Sequence, residues 1–87
     1  MATLDADEYA LDELTCPITG EIYVDPVLCV GDGHTYERHA ATRWLATHTT
    51  SPLTGEQMQP EGMRLVDNHL VRKQAAAVLR RRPELHP

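Results

Sequence analysis

The sequence has no phenylalanine, one tryptophan and three tyrosines in 87 residues. With so few aromatics, the core is expected to be built from Leu, Val, Ile, Met and Ala, and an aromatic on the surface is notable. Cysteine is nearly as scarce. Cys16 and Cys29 make no disulfide framework. Neither belongs to a Cys-x-x-Cys pair, because Cys16 faces Thr19 and the equivalent Ser51 faces Thr54. No apolar run approaches the ~18 residues of a membrane span. No cationic start followed by an apolar stretch marks a secretory signal. The expected setting is therefore reducing and intracellular, cytoplasmic or nuclear, without membrane contact. The net charge of -5 lacks the basic footprint of a general nucleic-acid binder. Gly31 and Gly33 have no following Lys-Ser/Thr, which excludes a phosphate-cradling loop. No internal repeat or low-complexity stretch is evident.

What is there reads as one small α+β domain with a thin stability margin, since a chain this short buries only roughly 60% of its unfolded surface. Residues 1–7 are small and acidic and read as disordered. Residues 8–82 read as the domain, with at most a single helical turn over 8–14. Thr15 to Asp25 is a loop containing Pro17 and Gly20. Residues 27–30 and 34–36 flank Gly31-Asp32-Gly33 as a hairpin. Glu37 to His48 has helical spacing at Ala41, Trp44, Leu45 and His48, with Glu37 suited to the N-terminus. Leu45 is assigned to the core and Trp44 to an edge, because neighbours on a helix face different ways. Residues 49–55 form a second loop. Met58, Met63, Leu65 and Val66 supply apolar cover, with Pro60 and Gly62 breaking any regular run. Asn68 caps a helix over 69–82 with the stripe Leu70, Val71, Ala75, Val78 and Leu79. Residues 83–87 read as a flexible tail. Acidic residues cluster near the start (Asp5, Asp7, Glu8, Asp12, Glu13) and basic ones near the end (Arg72, Lys73, Arg80, Arg81, Arg82), as solvated faces.

The candidate metal ligands are Cys16, Cys29, His34, His39 and His48, but closely spaced ligand pairs are missing, so no zinc and no other cofactor is expected. A cysteine nucleophile needs a base or helix N-terminus nearby. Buried neutral cysteines are the expected reading: Cys29 sits in an apolar strand, and Cys16, in a loop before Pro17, has room for partial exposure. Neither carries a catalytic role.

Six segments in register carry a resemblance: CPIT at 16–19, DPV at 25–27, GHTYER at 33–38, RWL at 43–45, SPLTGE at 51–56 and VDNHLVRK at 66–73. Over about three quarters of its length the chain resembles a U-box domain, the zinc-free relative of the RING finger found in ubiquitin ligases. The resemblance implies two loops, a hairpin, a central helix and a C-terminal helix, held by hydrogen bonds and salt bridges in place of two zinc ions. Thr19, Ser51 and Thr54 are short side chains able to bond loop backbone, and Asp25, His34, Arg38 and Asn68 offer charged or amide partners.

The resemblance also implies a function. A U-box binds a ubiquitin-charged conjugating enzyme (E2) and promotes transfer of its ubiquitin to a protein substrate, with no catalytic residue or covalent intermediate of its own. The E2-contacting positions carried over are Ile18 and Thr19 in loop one, Trp44 on the helix, and Pro52, Leu53 and Gly55 in loop two. Leu53 is expected to be the most buried of the apolar anchors. Two positions depart from the family pattern. Gly20 stands where many members carry a larger residue, and Gly55 where many carry the Arg or Lys that bridges E2 and ubiquitin. The second departure favours the alternative of a non-catalytic U-box-like scaffold, including a homodimer.

Overall fold

The computed structural model describes residues 11–87. The expectations for residues 1–7 and for the first part of 8–14 lie outside the described residues. The fold is α+β. Strands β1 (Pro26–Cys29), β2 (Thr35–Glu37) and β3 (Leu65–Asp67) form an antiparallel sheet in the order β2-β1-β3. Helix α1 (Arg38–Leu45) follows β2 directly, and α2 (His69–Arg81) follows β3.

β1 and β2 are the expected hairpin, each shifted by a residue. Val27 pairs with Tyr36 on one side and with Asp67 on the other. The third strand is a correction, because 65–67 read only as apolar cover. Three residues between Gly62 and the Asn68 cap are too few to display a period of two. Only the partner β1 makes them a strand. Beyond β1 the pairing continues, with Val30 N–H donating to Arg64 O (3.0 Å) and Gly31 N–H to Gly62 O (2.7 Å).

That last bond forces two backbones together. A Cβ on Gly31 would lie 2.7 Å from the Gly62 oxygen and 2.8 Å from Met58 Sδ. Gly31→Ala is therefore expected to cost about 2–3 kcal/mol, the overpacking range, read as a lower urea midpoint. Gly33→Ala is the control. Its Cβ would meet nothing within 4 Å, so only the positive φ of 72° opposes it, at about 1–2 kcal/mol. Equal losses in the two variants would contradict the steric account.

The core differs from expectation in one respect. Tyr36 is the largest fully buried side chain, and Tyr23 is buried with it among Val27, Cys29, Ala41, Met58, Ala75 and Val78. Both hydroxyls have acceptors: Tyr23 donates to Thr35 O (2.6 Å) and Tyr36 to Asp32 Oδ2 (2.5 Å). A buried tyrosine with its hydroxyl satisfied contributes as much apolar area as any core residue.

In α2, Asn68 Oδ1 accepts from the Val71 amide (3.1 Å), the expected cap, while its Nδ2 donates to Thr35 Oγ1 (3.0 Å) and ties the helix start to β2. Val71, Ala75, Val78 and Leu79 face the core, but Leu70 is 67% exposed. One residue before Val71, it points about 100° away from the stripe. Helix α1 ends at Leu45, short of His48, and the next residues close as a turn in which the Thr47 and His48 amides both donate to Trp44 O. Past Pro83, where a flexible tail was expected, Pro83–Leu85 makes a 3-10 turn that packs Leu85 against the core.

Candidate functional site: two matched loops and the groove beside Trp44

The sequence contains a repeat after all. Cys16-Pro17-Ile18-Thr19-Gly20-Glu21 and Ser51-Pro52-Leu53-Thr54-Gly55-Glu56 fold into the same turn. In loop one the Cys16 amide donates to Glu21 O (2.9 Å) and Gly20 N–H to Cys16 O (2.8 Å). In loop two the Ser51 amide donates to Glu56 O (2.8 Å) and Gly55 N–H to Ser51 O (3.0 Å). Thr19 Oγ1 and Thr54 Oγ1 each accept from the next-but-one amide at 3.2 Å. Isolated bridges close both turns, Thr15 with Ile22 and Thr50 with Gln57. Gly20 and Gly55 take φ of 74° and 78°, a conformation that costs a side chain. Only six residues long and spaced by 35, the repeat lies below what periodicity reveals. Its signal was the shared Pro-x-Thr-Gly-Glu.

The first residue of each loop ties it to the sheet. Cys16 is fully buried, and its Sγ accepts the Glu37 amide (3.3 Å) at the end of β2. Ser51, also buried, donates from Oγ to Asp32 Oδ2 (2.7 Å) in the hairpin turn and accepts from the Leu53 and Thr54 amides (3.2 and 3.1 Å). Asp32 is thus a hub, taking Ser51, the Tyr36 hydroxyl and the His34 amide (2.9 Å). Burial pushes its carboxyl up, but the bonds from Tyr36, Ser51 and His34 together outweigh this and hold it below the ordinary value. Sequence reading missed Asp32, because Gly-Asp-Gly is explained by turn chemistry alone.

Glu37 was also misassigned. It is the residue before α1 but makes no capping bond. Its buried carboxylate instead accepts from the Val24 amide (3.1 and 3.2 Å) and the Asp25 amide (2.8 Å), fixing the exit of loop one.

The other expected polar partners divide. Asp25 accepts from Arg38 Nε (2.8 Å) and pairs with Arg72, and Arg38 also reaches Asp67. The hydrogen bond from Arg38 is the main reason the Asp25 carboxyl lies below its ordinary value. Asn68 joins helix to sheet as described. His34 acts through its backbone, since its oxygen accepts from Cys29 N–H (2.9 Å) while its imidazole makes no hydrogen bond among the described residues. Among the described residues Thr54 bonds within its own loop alone. No cluster of three or more His, Cys, Asp or Glu able to hold a metal ion occurs among the described residues, and Cys29 is a buried thiol whose pKa is raised by desolvation.

Between loop one and α1 lies a groove of about 440 Å³, lined by Ile18, Thr19, His39, Ala40, Arg43, Trp44, Thr47 and His48. Ile18 is 40% exposed at its rim. Trp44 is half-buried and held on two sides. Its Nε1–H donates to Thr50 O (2.7 Å) at the start of loop two, and His48 stacks on its face with ring centroids 3.6 Å apart. Leu45 packs inward, as assigned. The structure therefore brings Ile18, Thr19 and Trp44 together. Pro52, Leu53 and Gly55 stand on loop two outside that lining. Leu53, expected to be the most buried anchor, is 50% exposed, because the turn points its third residue outward in both loops.

The sequence profile of the U-box domain matches residues 10–82. The chain belongs to the U-box family. Two of its similar relatives are U-box domain-containing protein 18 of Arabidopsis thaliana, 41% identical over 72% of this chain and 9% of the relative, and E3 ubiquitin-protein ligase SPL11 of Oryza sativa subsp. japonica, 40% identical over 70% of the chain and 8% of the relative. WD repeat, SAM and U-box domain-containing protein 1 of Danio rerio is 49% identical over 55% of the chain and 10% of the relative. The match therefore spans a tenth or less of each of these relatives. The matched region of this U-box contains both loops, α1 and the groove.

Proposed function

We propose that this U-box is the module of an E3 ubiquitin-protein ligase that docks a ubiquitin-charged E2 and promotes ubiquitin transfer to a protein substrate held elsewhere. The groove beside Trp44 carries the reading. It offers a pre-positioned aromatic and an exposed aliphatic side chain on a rigid scaffold, the composition of an interface hot spot. The relatives named as E3 ubiquitin-protein ligases support the same class. Rate enhancement then comes from holding the conjugate in a reactive geometry, a positioning effect needing no nucleophile of the U-box itself. Ile18 and Trp44 anchor the E2, and Pro52 and Leu53 extend the contact from loop two. The proposed setting is intracellular, where the E2 enzymes are.

Gly55 favours a second reading, a scaffold that binds partners without stimulating transfer. Autoubiquitination with a panel of E2s separates the two. Activity in the parent, cut at least about tenfold by Ile18→Ala, the cost of ~1.4 kcal/mol at a hot spot, supports the ligase. No activity with any E2, together with no perturbation of E2 amide resonances, leaves the scaffold. Gly55→Arg adds the missing cation. No atom lies within 4 Å of its Cβ, so the cost is backbone strain of about 1–2 kcal/mol, and the expected outcome is faster discharge from a slightly less stable domain.

A further inference from the structure

The groove beside Trp44 is basic on a chain whose net charge is -5. Its lining includes Arg43, His39 and His48 and no carboxylate. The Arg43 guanidinium is exposed and has no ion-pair partner among the described residues. Four carboxylates on the neighbouring elements are engaged elsewhere, and Glu21 and Glu56 stand exposed on the two loops outside the groove lining. Asp32 is taken by Tyr36 and Ser51, Glu37 by the Val24 and Asp25 amides, and Asp25 and Asp67 by Arg38 and Arg72. His48 is locked in the groove wall by its stack on Trp44 and by the contacts of its Nδ1 with Thr47 Oγ1 (2.9 Å) and Trp44 O (3.2 Å). A carboxylate arriving at this rim meets the Arg43 cation, and an arriving ammonium meets repulsion with no carboxylate in the groove lining to relieve it.

We infer that Arg43 selects among conjugating enzymes, favouring those that bring a carboxylate to the rim of this groove over those that bring a lysine or arginine. The inference rests on the E2-docking reading above and adds the charge of the partner. A charge at an interface rim acts mainly on the association rate and on its salt dependence. Arg43→Glu should slow association with carboxylate-bearing E2s by roughly tenfold at low ionic strength, speed it for the basic class, and lose both effects as salt is raised.

The test is stopped-flow association of purified E2s with the parent, Arg43→Glu and Trp44→Ala, at low and high salt. The E2s are sorted by the charge of the residue whose resonance shifts on Arg43 substitution. A carboxylate→Lys change on the E2 should restore binding to Arg43→Glu. Reversed E2 ranking and that rescue support the inference. If the parent binds E2s through Trp44 but Arg43→Glu leaves their ranking and salt slopes unchanged, the docking reading stands and the charge selection is overturned. If no E2 binds the parent, both fall.

Discussion

Asp32→Ala is expected to lower the unfolding free energy by about 3 kcal/mol, a fall in melting temperature of roughly 15 °C for a domain this small. Three donors lose one acceptor: the Tyr36 hydroxyl, the Ser51 hydroxyl and the His34 amide. Hydrogen bonds to a charged group contribute about 1.5–3 kcal/mol each, but they share one carboxylate, so their losses do not add in full. Tyr36 is wholly buried, and its hydroxyl is the donor least able to find water. The damage should be local as well as global. Amide exchange at Leu53, Thr54 and Gly55 should accelerate, while loop one, anchored by Cys16 and Glu37, keeps its protection. The acid dependence follows from the lowered Asp32 carboxyl. A group whose folded pKa lies below its unfolded value stabilises fully above the unfolded value, near 3.8, and that contribution disappears as pH falls through the folded one. Parent and variant should therefore differ most at neutral pH, and the difference should shrink as the pH falls below 3.8 through the lower folded value. Asp25 titrates in the same direction in both proteins and cancels in the difference. His34→Ala should cost far less, since its imidazole makes no hydrogen bond among the described residues. A neutral-pH loss for Asp32→Ala under about 1 kcal/mol, or one that does not shrink in acid, would remove Asp32 as the hub.

The family was legible because its signature is local. Cys-Pro-Ile-Thr, Asp-Pro-Val and Ser-Pro-Leu-Thr each set a turn by their own chemistry, and the helices announce themselves by period and by the Asn68 cap. What escaped was non-local. β3 exists only because β1 offers a ladder to three residues with no pattern of their own. Asp32 and Glu37 have adequate local explanations, a turn and a helix start, which hid their reach across the fold to Ser51 and to the Val24 amide. Trp44 lies half-buried at the groove edge because helix phase turns it away from Leu45. Leu53 was misjudged because burial in a loop depends on what packs over it. The repeat explains that error: Ile18 and Leu53 occupy the same turn position, so whatever exposes one exposes the other.

Trp44→Ala should weaken E2 association by about 2–3 kcal/mol, roughly 30- to 150-fold, while the domain stays folded. The indole is the largest side chain in the groove and is already immobilised, by Thr50 O at its edge and His48 on its face. Binding therefore orders little that is not ordered already, which preserves the gain from burying it. Truncation also removes the bond to loop two, so part of any loss is positional. Trp44→Phe separates the terms. It keeps an apolar ring against His48 in the groove but loses the N–H donor, and should recover most of the affinity if contact area dominates. If Trp44→Phe binds as poorly as Trp44→Ala, the indole acts by holding loop two in place, and faster exchange of the Ser51 and Gly55 amides should accompany it. Isothermal titration and amide exchange on the same samples give both readouts. A folded Trp44→Ala with parental affinity would move the docking face away from this groove altogether.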